Sequence, residues 1–281
     1  MLKLGLVQTT TGLDVERNAA DLAAAAERLA GDGAAIIFTP EMSGLLDRNS
    51  RRLFEAARTE AEDPALAALQ KVARQRQVAI AIGSLAVHDP IASPEGRLAN
   101  RSFLIAPDGR IAARYDKMHL FDVDLPNGDR YRESASFLNG AQVQLADLDW
   151  GRLGLTICYD LRFPHLHAAL ARAGAQVIAQ PAAFTASTGE AHWHVLLRAR
   201  AIETGAFVVA AAQAGTHEDG RETYGHSLVV NPWGRVLLDM GTAPGTAVIE
   251  VDLAEVADAR TRIPNLVHAR PLGEPQVADA R

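Results

Sequence analysis

Short runs of Val, Ile and Leu alternate with longer helical patterns along almost the whole chain, and this alternation predicts sheets covered by helices. The predicted strands are 4–9, 35–39, 78–84, 101–106, 111–115, 153–158, 177–180, 207–212, 227–231 and 247–251. The predicted helices are 15–30, 64–75, 164–173 and 190–204, with Asp14 as N-cap of the first and Pro64 and Pro164 in first turns. A polar stretch, 121–136, predicts a long loop, and the chain from about Arg260 predicts an irregular tail.

The composition narrows the classes of partner and compartment. A formal net charge of −6 does not favour nucleic-acid binding, which normally needs a clustered basic surface. No segment approaches the roughly 18 consecutive apolar residues of a membrane span, and the N-terminal segment lacks the apolar core of a signal peptide. The single cysteine, Cys158, cannot form an intrachain disulfide. We therefore expect a cytoplasmic protein that binds neither nucleic acid nor membrane.

Cys158 lies where an apolar strand pattern ends, and the segment YDLRFP after it predicts a turn into a helix. Such a turn exposes the sulfur atom, directs backbone N–H groups towards it and, through the helix terminus, favours the thiolate. A buried, inert thiol is the alternative for a lone cysteine. The residues that surround Cys158 decide between these two interpretations.

Two charged residues also follow predicted strands. Glu41 stands in the segment PEM, where partial burial would raise the pKa of its carboxyl group and suit it to act as a general base. A loop carboxylate in a salt bridge is the alternative. Lys117 follows strand 111–115 in the segment YDKMHLFD, where its ammonium could stabilise an oxyanion. A solvated surface lysine is the alternative there.

Together the segments PEM, YDKMHLFD and GLTICYDLRFP resemble the Glu–Lys–Cys motifs of the nitrilase, or carbon–nitrogen hydrolase, superfamily. The resemblance extends over almost the whole chain, from Gly5 to Pro264. It implies a single α/β domain, 1–262, folded as a four-layer α-β-β-α sandwich, and an extended tail, 263–281, that packs on this domain or on a partner subunit. It also implies a homodimer or a higher homo-oligomer.

The same resemblance implies a chemistry. Cys158 would attack an amide carbonyl and form a thioester, Glu41 would be the general base, and Lys117 with the backbone N–H of Tyr159 would stabilise the oxyanion. By analogy Glu133 would position Lys117 and the substrate, whereas a purely structural ion pair with Lys117 is the alternative. This scheme needs no metal and no organic cofactor.

The segments TGEAHWHVLLRARAIET and YGHS are most similar to the branch that contains deaminated glutathione amidases and omega-amidases. This similarity implies an amide substrate of the α-keto-acid type that carries a carboxylate. Arg162 and Thr188 would grip that carboxylate, and Phe184 would belong to the same substrate-binding region. A helix that starts at the turn would place Arg162 on the same face as Cys158. A structural pair between Arg162 and Asp160 is the alternative.

Other functions remain open at the level of the sequence. An omega-amidase or an N-carbamoyl amine amidohydrolase would carry the same motifs, and a catalytically silent binding or scaffold protein could keep the fold. Two histidine pairs, His165 with His167 and His192 with His194, have a spacing of two residues on predicted helices. Such pairs point to different sides of a helix, so we predict no metal site.

Overall fold

The computed structural model describes residues 1–93, 96–125 and 128–278. Within these ranges the strands, in chain order, are β1 (Leu2–Gln8), β2 (Ile36–Phe38), β3 (Arg58–Thr59), β4 (Ala79–His88), β5 (Leu98–Ile105), β6 (Ile111–Asp116), β7 (Asp122–Asp124), β8 (Arg130–Arg132), β9 (Phe137–Leu138), β10 (Leu145–Leu148), β11 (Gly151–Leu155), β12 (Val177–Ala179), β13 (Phe207–Ala210), β14 (Ala214–Thr216), β15 (Glu222–Tyr224), β16 (Leu228–Val230), β17 (Val236–Asp239) and β18 (Gly245–Val251). The α-helices are α1 (Val15–Gly31), α2 (Ser50–Ala56), α3 (Pro64–Arg76), α4 (Pro164–Arg172), α5 (Ala186–Thr204), α6 (Ala254–Arg262) and α7 (Asn265–His268). Two segments, Glu133–Ala135 and Cys158–Arg162, are 3-10 helices.

Most of these strands belong to two large sheets, and each sheet has parallel strands at its centre. The first has the order β18-β1-β2-β4-β5-β6, with β3 added to β4 and β9 added to β5, and its strands β1, β2 and β4 are parallel. The second has the order β10-β11-β12-β13-β16-β17, and its strands β11, β12 and β13 are parallel. In α/β sheets the carboxyl ends of parallel strands are the usual place for a site. The segments that follow β2 and β11 therefore begin where a functional site is expected.

The main core lies between the two sheets. Ile36 of β2 and Leu155 of β11 are fully buried there, whereas Ile37 packs on the opposite face of its sheet among residues of α1 and α3. Successive residues of a strand point to opposite faces, which explains this split. On the second sheet, Leu170 of α4 packs with Ile178 of β12. The resulting order of helices, sheet, sheet and helices confirms the predicted four-layer α-β-β-α sandwich.

The predicted starts of α1, α3 and α4 are confirmed. The side chain of Asp14 accepts hydrogen bonds from the backbone N–H groups of Glu16 and Arg17, both at 3.1 Å, and so caps α1. Pro64 and Pro164 occupy first turns, where the N–H that proline lacks would have no partner within the helix. Local sequence signals therefore fix where these helices begin.

Several predicted boundaries are wrong: β4 continues to His88 instead of ending at residue 84, and α5 begins at Ala186 instead of residue 190. Strand β11 ends at Leu155 and not at Cys158, because the backbone N–H of Ile157 already turns to the carboxylate of Asp160. The chain is also helical past Arg260, since α6 continues to Arg262 and α7 follows. Pro126 and Asn127 of the predicted loop 121–136, and residues 279–281 of the predicted tail, lie outside the described residues.

Candidate active site

Segments that follow strands bring the predicted site residues to one cavity. Glu41 follows β2, Lys117 directly follows β6, and Cys158 follows β11, while Glu133 begins a 3-10 helix. The exposed fractions of Glu41, Lys117 and Cys158 are 4%, 2% and 8%. The interpretation of Lys117 as a solvated surface lysine is therefore wrong.

The ammonium of Lys117 lies between two carboxylates. Its Nζ atom donates to Oε1 of Glu41 at 2.9 Å and to Oε2 of Glu133 at 2.8 Å. The side-chain amide of Asn100 donates to the same two carboxylates, at 3.0 Å each. Because buried charges are costly unless they are paired and hydrogen-bonded, this network holds all four side chains in place.

Backbone groups complete the coordination of both carboxylates. The N–H of Ala183, beyond β12 of the second sheet, donates to Oε2 of Glu41 at 2.8 Å. The N–H of Phe121 donates to Oε2 of Glu133 at 2.6 Å. Glu41 therefore joins the two sheets at the site, and Glu133 anchors the start of the long loop.

Cys158 has an unusual backbone conformation. Its φ of 46° lies in the left-handed region, which costs a non-glycine residue roughly 1–2 kcal/mol. Two hydrogen bonds hold it there: the N–H of Cys158 donates to the carbonyl of Pro181 at 2.8 Å, and the side-chain amide of Gln180 donates to the carbonyl of Cys158 at 3.1 Å. Strain that neighbouring contacts maintain is typical of functional positions. The predicted order of strand, turn and α-helix is confirmed, but Cys158 begins a 3-10 helix after the strand has ended. The predicted exposure of the sulfur is wrong, because Cys158 is buried.

The protonation states differ from those we expected from the sequence. Burial and the negative charge of Glu41 raise the pKa of Cys158 well above 9.0, so the group is a thiol at neutral pH and the predicted thiolate is wrong. Burial acts to raise the pKa of Glu41, but the charge of Lys117 and hydrogen bonds from Cys158, Lys117 and Ala183 bring it below 4.5. The expected rise is therefore also wrong. Burial acts to lower the pKa of Lys117, but Glu133 and Glu41 raise it well above 10.5.

These side chains open into a cavity of about 320 Å³, which lies in the range of small-molecule sites. Its wall combines the polar network with aromatic rings, namely those of Phe121, Tyr131, Phe137, Tyr159 and Phe184. Phe121 lies between Tyr159 and Tyr131, with ring centroids 5.0 Å and 5.1 Å away. A ligand in this cavity would contact both aromatic rings and buried charged groups.

The predicted substrate-binding residues are only partly at this cavity. Thr188 and Phe184 line it, whereas Arg162 is not part of its wall as far as the described residues show. The guanidinium of Arg162 lies 5.3 Å from the centroid of the Phe184 ring and within 3.3 Å of Nδ1 of His192. The prediction that Arg162 and Cys158 share one helix face is wrong, because Cys158–Arg162 is a 3-10 helix. Such a helix has three residues per turn, so residues four apart point in directions that differ by about a third of a turn.

Asp160, the alternative partner that we considered for Arg162, binds other residues. The carboxylate of Asp160 accepts hydrogen bonds from the hydroxyl of Tyr115 at 2.6 Å and from the backbone N–H of Ile157 at 2.9 Å. Nδ1 of His119 lies 2.7 Å from the same carboxylate. Asp160 therefore fixes the turn that carries Cys158.

Sequence reasoning missed Asp160, Asn100 and Gln180 as parts of the site. A polar residue inside an apolar strand pattern was the available signal for Asn100, which interrupts LANRSFLI of β5. Gln180 is also fully buried, and its Oε1 lies 3.0 Å from Nε2 of His167. No comparable local signal pointed to Asp160, because acidic residues are common at turns.

Among the described residues, one group outside the cavity could hold a metal ion. The ligand atoms of His194, His226 and Asp239 lie within 4.8 Å of one another. Asp239 already bonds both imidazoles, at 3.0 Å to His194 and 2.8 Å to His226, so the group is satisfied as it stands. The pair that we assessed from the sequence, His192 with His194, does not form this cluster. None of its three members lines the active-site cavity in the described part of the chain.

The sequence model of the family described as "Carbon-nitrogen hydrolase" matches residues 3–261. A protein of Yersinia enterocolitica named deaminated glutathione amidase is 36% identical over 99% of this chain and 97% of its own length.

Two solved structures share the fold. The NitFhit protein of C. elegans has a TM-score of 0.88 at 36% identity, and the match covers 96% of this chain and 65% of that one. A mutant amidase from Nesterenkonia sp. AN1, which shows the result of Michael addition of acrylamide at its active site cysteine, has a TM-score of 0.77 at 28% identity, over 94% of this chain and 98% of that one. In this protein, no helix of the described residues is long and apolar enough to cross a membrane.

Proposed function

Because the chain belongs to the carbon–nitrogen hydrolase family and is a cysteine-dependent amidohydrolase, we propose that Cys158 is its nucleophile, Glu41 its general base and Lys117 its oxyanion stabiliser. One observation carries this assignment. A buried ammonium, that of Lys117, lies 2.9 Å from the carboxylate of Glu41, and both groups line one cavity together with the thiol of Cys158. The arrangement supplies a base, a nucleophile and a fixed positive charge without further rearrangement.

The raised pKa of the thiol determines how the reaction begins. Since Cys158 holds its proton and Glu41 is ionised, the proton passes from Sγ to the carboxylate as the sulfur attacks the amide carbon. A C–S bond forms, and the carbonyl electrons move to the oxygen atom. Lys117 and the backbone N–H of Tyr159 stabilise that oxyanion. Glu41 then gives the proton to the amide nitrogen, the C–N bond breaks, and an amine or ammonia leaves a thioester on Cys158.

The second half of the reaction uses the same groups. Glu41 removes a proton from water, the oxygen attacks the thioester carbon, and the C–S bond breaks as the proton returns to the sulfur. Throughout, Glu133 keeps the ammonium of Lys117 in place through contacts of 2.8 and 3.0 Å. No step of this scheme needs a metal or an organic cofactor.

We propose deaminated glutathione, or a similar α-keto-acid amide with a carboxylate, as the substrate. Support comes from the name of the Yersinia protein, which matches this chain over 99% of its length. Thr188 and Phe184 line the cavity and are proposed to contact the acyl part of the substrate. Arg162 would reach the cavity only if its side chain left the ring of Phe184. An omega-amidase or an N-carbamoyl amine amidohydrolase is the alternative within the family.

A panel of amides tests this proposal. Deaminated glutathione, a short ω-amide of a keto acid and an N-carbamoyl amine are each incubated with the protein, and release of amine or ammonia is measured. We expect the highest kcat/KM for deaminated glutathione. Faster hydrolysis of the carbamoyl compound would contradict the proposed substrate. Failure of iodoacetamide to label Cys158, with no hydrolysis of any amide, would instead favour a silent scaffold.

We also propose that the protein is a homodimer or a higher homo-oligomer, and that the tail beyond residue 262 packs on this domain or on a partner subunit. Several large apolar side chains support this proposal, because Val195, Trp233 and Val267 are 67%, 58% and 82% exposed. A sedimentation experiment that gave only the 30.0 kDa mass of one chain would contradict it. The cytoplasmic location stays a prediction.

A further inference from the structure

Four arginines line the active-site cavity: Arg48, Arg130, Arg132 and Arg221. Two of them are associated with one carboxylate. Arg132 donates to both oxygens of Asp124 at 2.9 and 3.0 Å, and Nε of Arg130 lies 3.6 Å from the same group. Their charges are therefore largely compensated. Of the other two arginines, Arg221 also has a carboxylate nearby, that of Asp219 at 3.7 Å, but both differ from the first pair in their hydrogen bonds.

The guanidinium of Arg221 has a buried N–H group that lacks a hydrogen-bond acceptor in the described part of the chain. Its side chain is only 17% exposed, and its Nε atom is buried with no hydrogen-bond partner within the described ranges. Oxygen Oδ2 of Asp219 lies 3.7 Å from this atom, too far for a hydrogen bond. The carboxylate of Asp219 already accepts the backbone N–H groups of Arg48 at 2.7 Å and of Arg221 at 2.8 Å. A buried donor without a partner is costly unless a ligand satisfies it.

Arg48, which Asp219 connects to Arg221, also has a guanidinium that could bind a ligand. Its backbone N–H binds Asp219, but its guanidinium makes no hydrogen bond or ion pair with any residue that the structure describes. The side chain is exposed at the cavity. Two arginines held through one buried carboxylate thus present guanidinium groups to the same cavity.

The aromatic row connects this pair to the nucleophile. Tyr159 follows Cys158, and the rings of Tyr159, Phe121 and Tyr131 succeed one another at 5.0 and 5.1 Å. Burial raises the pKa of Tyr131, the charges of Arg221 and Arg48 oppose that rise, and those of Asp129 and Asp219 add to it. Both arginines therefore lie near the Tyr131 end of the row, together with two carboxylates. A group bound beside Tyr131 is two ring-to-ring steps, of 5.1 and 5.0 Å, from the ring of Tyr159, the residue next to Cys158.

We propose that Arg48 and Arg221 form a second anion subsite, which binds a carboxylate at the far end of the amine portion of the substrate. This proposal rests on the proposed amidase function and narrows its substrate class to amides whose leaving amine ends in a carboxylate, as a peptide does. Guanidinium groups suit this role because their paired N–H groups match the two oxygens of a carboxylate. The acyl portion would lie at the other end of the cavity, near Thr188 and Phe184.

Two matched compounds test the subsite. One is deaminated glutathione, and the other is the same compound with its glycine carboxylate converted to a carboxamide. We expect the wild-type kcat/KM for the acid to exceed that for the carboxamide by about tenfold to a hundredfold, as for a charge-assisted hydrogen bond, mainly through KM. In Arg221→Met the ratio should fall towards one. Arg48→Gln should lower it by a smaller factor, since Arg48 is more exposed.

The ratio is chosen because a partly unfolded variant loses activity on both compounds equally, so folding defects leave it unchanged. Arg130→Met is the matched control: it removes an arginine from the same cavity wall, but one that lies against Asp124 and is 79% exposed. The control should keep the wild-type ratio. A wild-type ratio near one, or a full ratio in Arg221→Met, would overturn the subsite. So would hydrolysis of neither compound while other amides are cleaved, whereas the absence of hydrolysis of every amide would refute the amidase function itself.

Discussion

Replacement of Lys117 by Met removes the positive charge between Glu41 and Glu133 and keeps a side chain of similar length. The side chains of Lys117, Glu41 and Glu133 are only 2%, 5% and 12% exposed. Removal of one member of a buried ion pair costs about 3–5 kcal/mol. Loss of an oxyanion donor lowers kcat by roughly a hundredfold to a thousandfold. We therefore expect a variant that is both less stable and nearly inactive.

The free energy of unfolding of Lys117→Met should also depend on pH in a different way from that of the wild type. In the wild type the charge of Lys117 is the largest influence that lowers the pKa of Glu41, and burial opposes it. Without that charge, burial raises the pKa of Glu41 above its value in the unfolded chain. The folded variant then binds a proton that the unfolded chain does not, so its free energy of unfolding falls as the pH rises. Lys117→Met should therefore be closest to wild type in acid.

Urea denaturation at about pH 5.5 and about pH 8 measures this effect. The control is Lys71→Met, which removes an exposed lysine from α3 and should behave as the wild type at both pH values. Equal free energies of unfolding for Lys117→Met and the wild type at both pH values, or a kcat within tenfold of wild type, would refute the reasoning.

Two further predictions concern Glu133 and His167. Glu133→Gln should lower kcat/KM by roughly tenfold to a hundredfold, because a neutral amide cannot replace the charge-assisted bonds from Lys117 and Asn100. Steady-state kinetics measure this loss, and Glu222→Gln, at an exposed position, is the control. Equal kcat/KM values for the two variants would contradict the prediction. Burial lowers the pKa of His167 from 6.5 to about 4. As the pH falls through this range, the unfolded chain takes up a proton at this histidine before the folded chain does. The free energy of unfolding of the wild type should therefore fall by roughly 3 kcal/mol. His167→Gln should lack that loss in urea denaturation, and an equal loss in both proteins would show the reasoning to be wrong.

The fold could be predicted because its signals are local. Continuous apolar runs in buried strands such as β2, and the helix starts marked by Asp14, Pro64 and Pro164, depend on residues that are neighbours in sequence. The positions of Glu41, Lys117 and Cys158 at strand ends could be inferred for the same reason. Resemblance to a family then indicated that these distant segments meet.

The electrostatics of the site could not be predicted in this way. The pKa of Cys158 depends on the charge of Glu41, which lies more than a hundred residues away in sequence, and on burial that only the folded chain creates. The same holds for Glu41, whose pKa falls because Lys117 outweighs burial. Arg162 was misplaced because the sequence pattern does not distinguish a 3-10 turn from an α-helical one. The pairing of Arg48 and Arg221 through Asp219 has no local signature at all.

The central claim, that Cys158 carries the acyl group, is tested most directly by mass spectrometry of the intact protein quenched during turnover of an amide substrate. We predict that the protein gains the mass of the acyl group on Cys158, that hydroxylamine removes this mass, and that Cys158→Ala neither gains it nor retains more than about a thousandth of the wild-type kcat. Turnover by Cys158→Ala near the wild-type rate, or an acyl group found on another residue, would contradict the account.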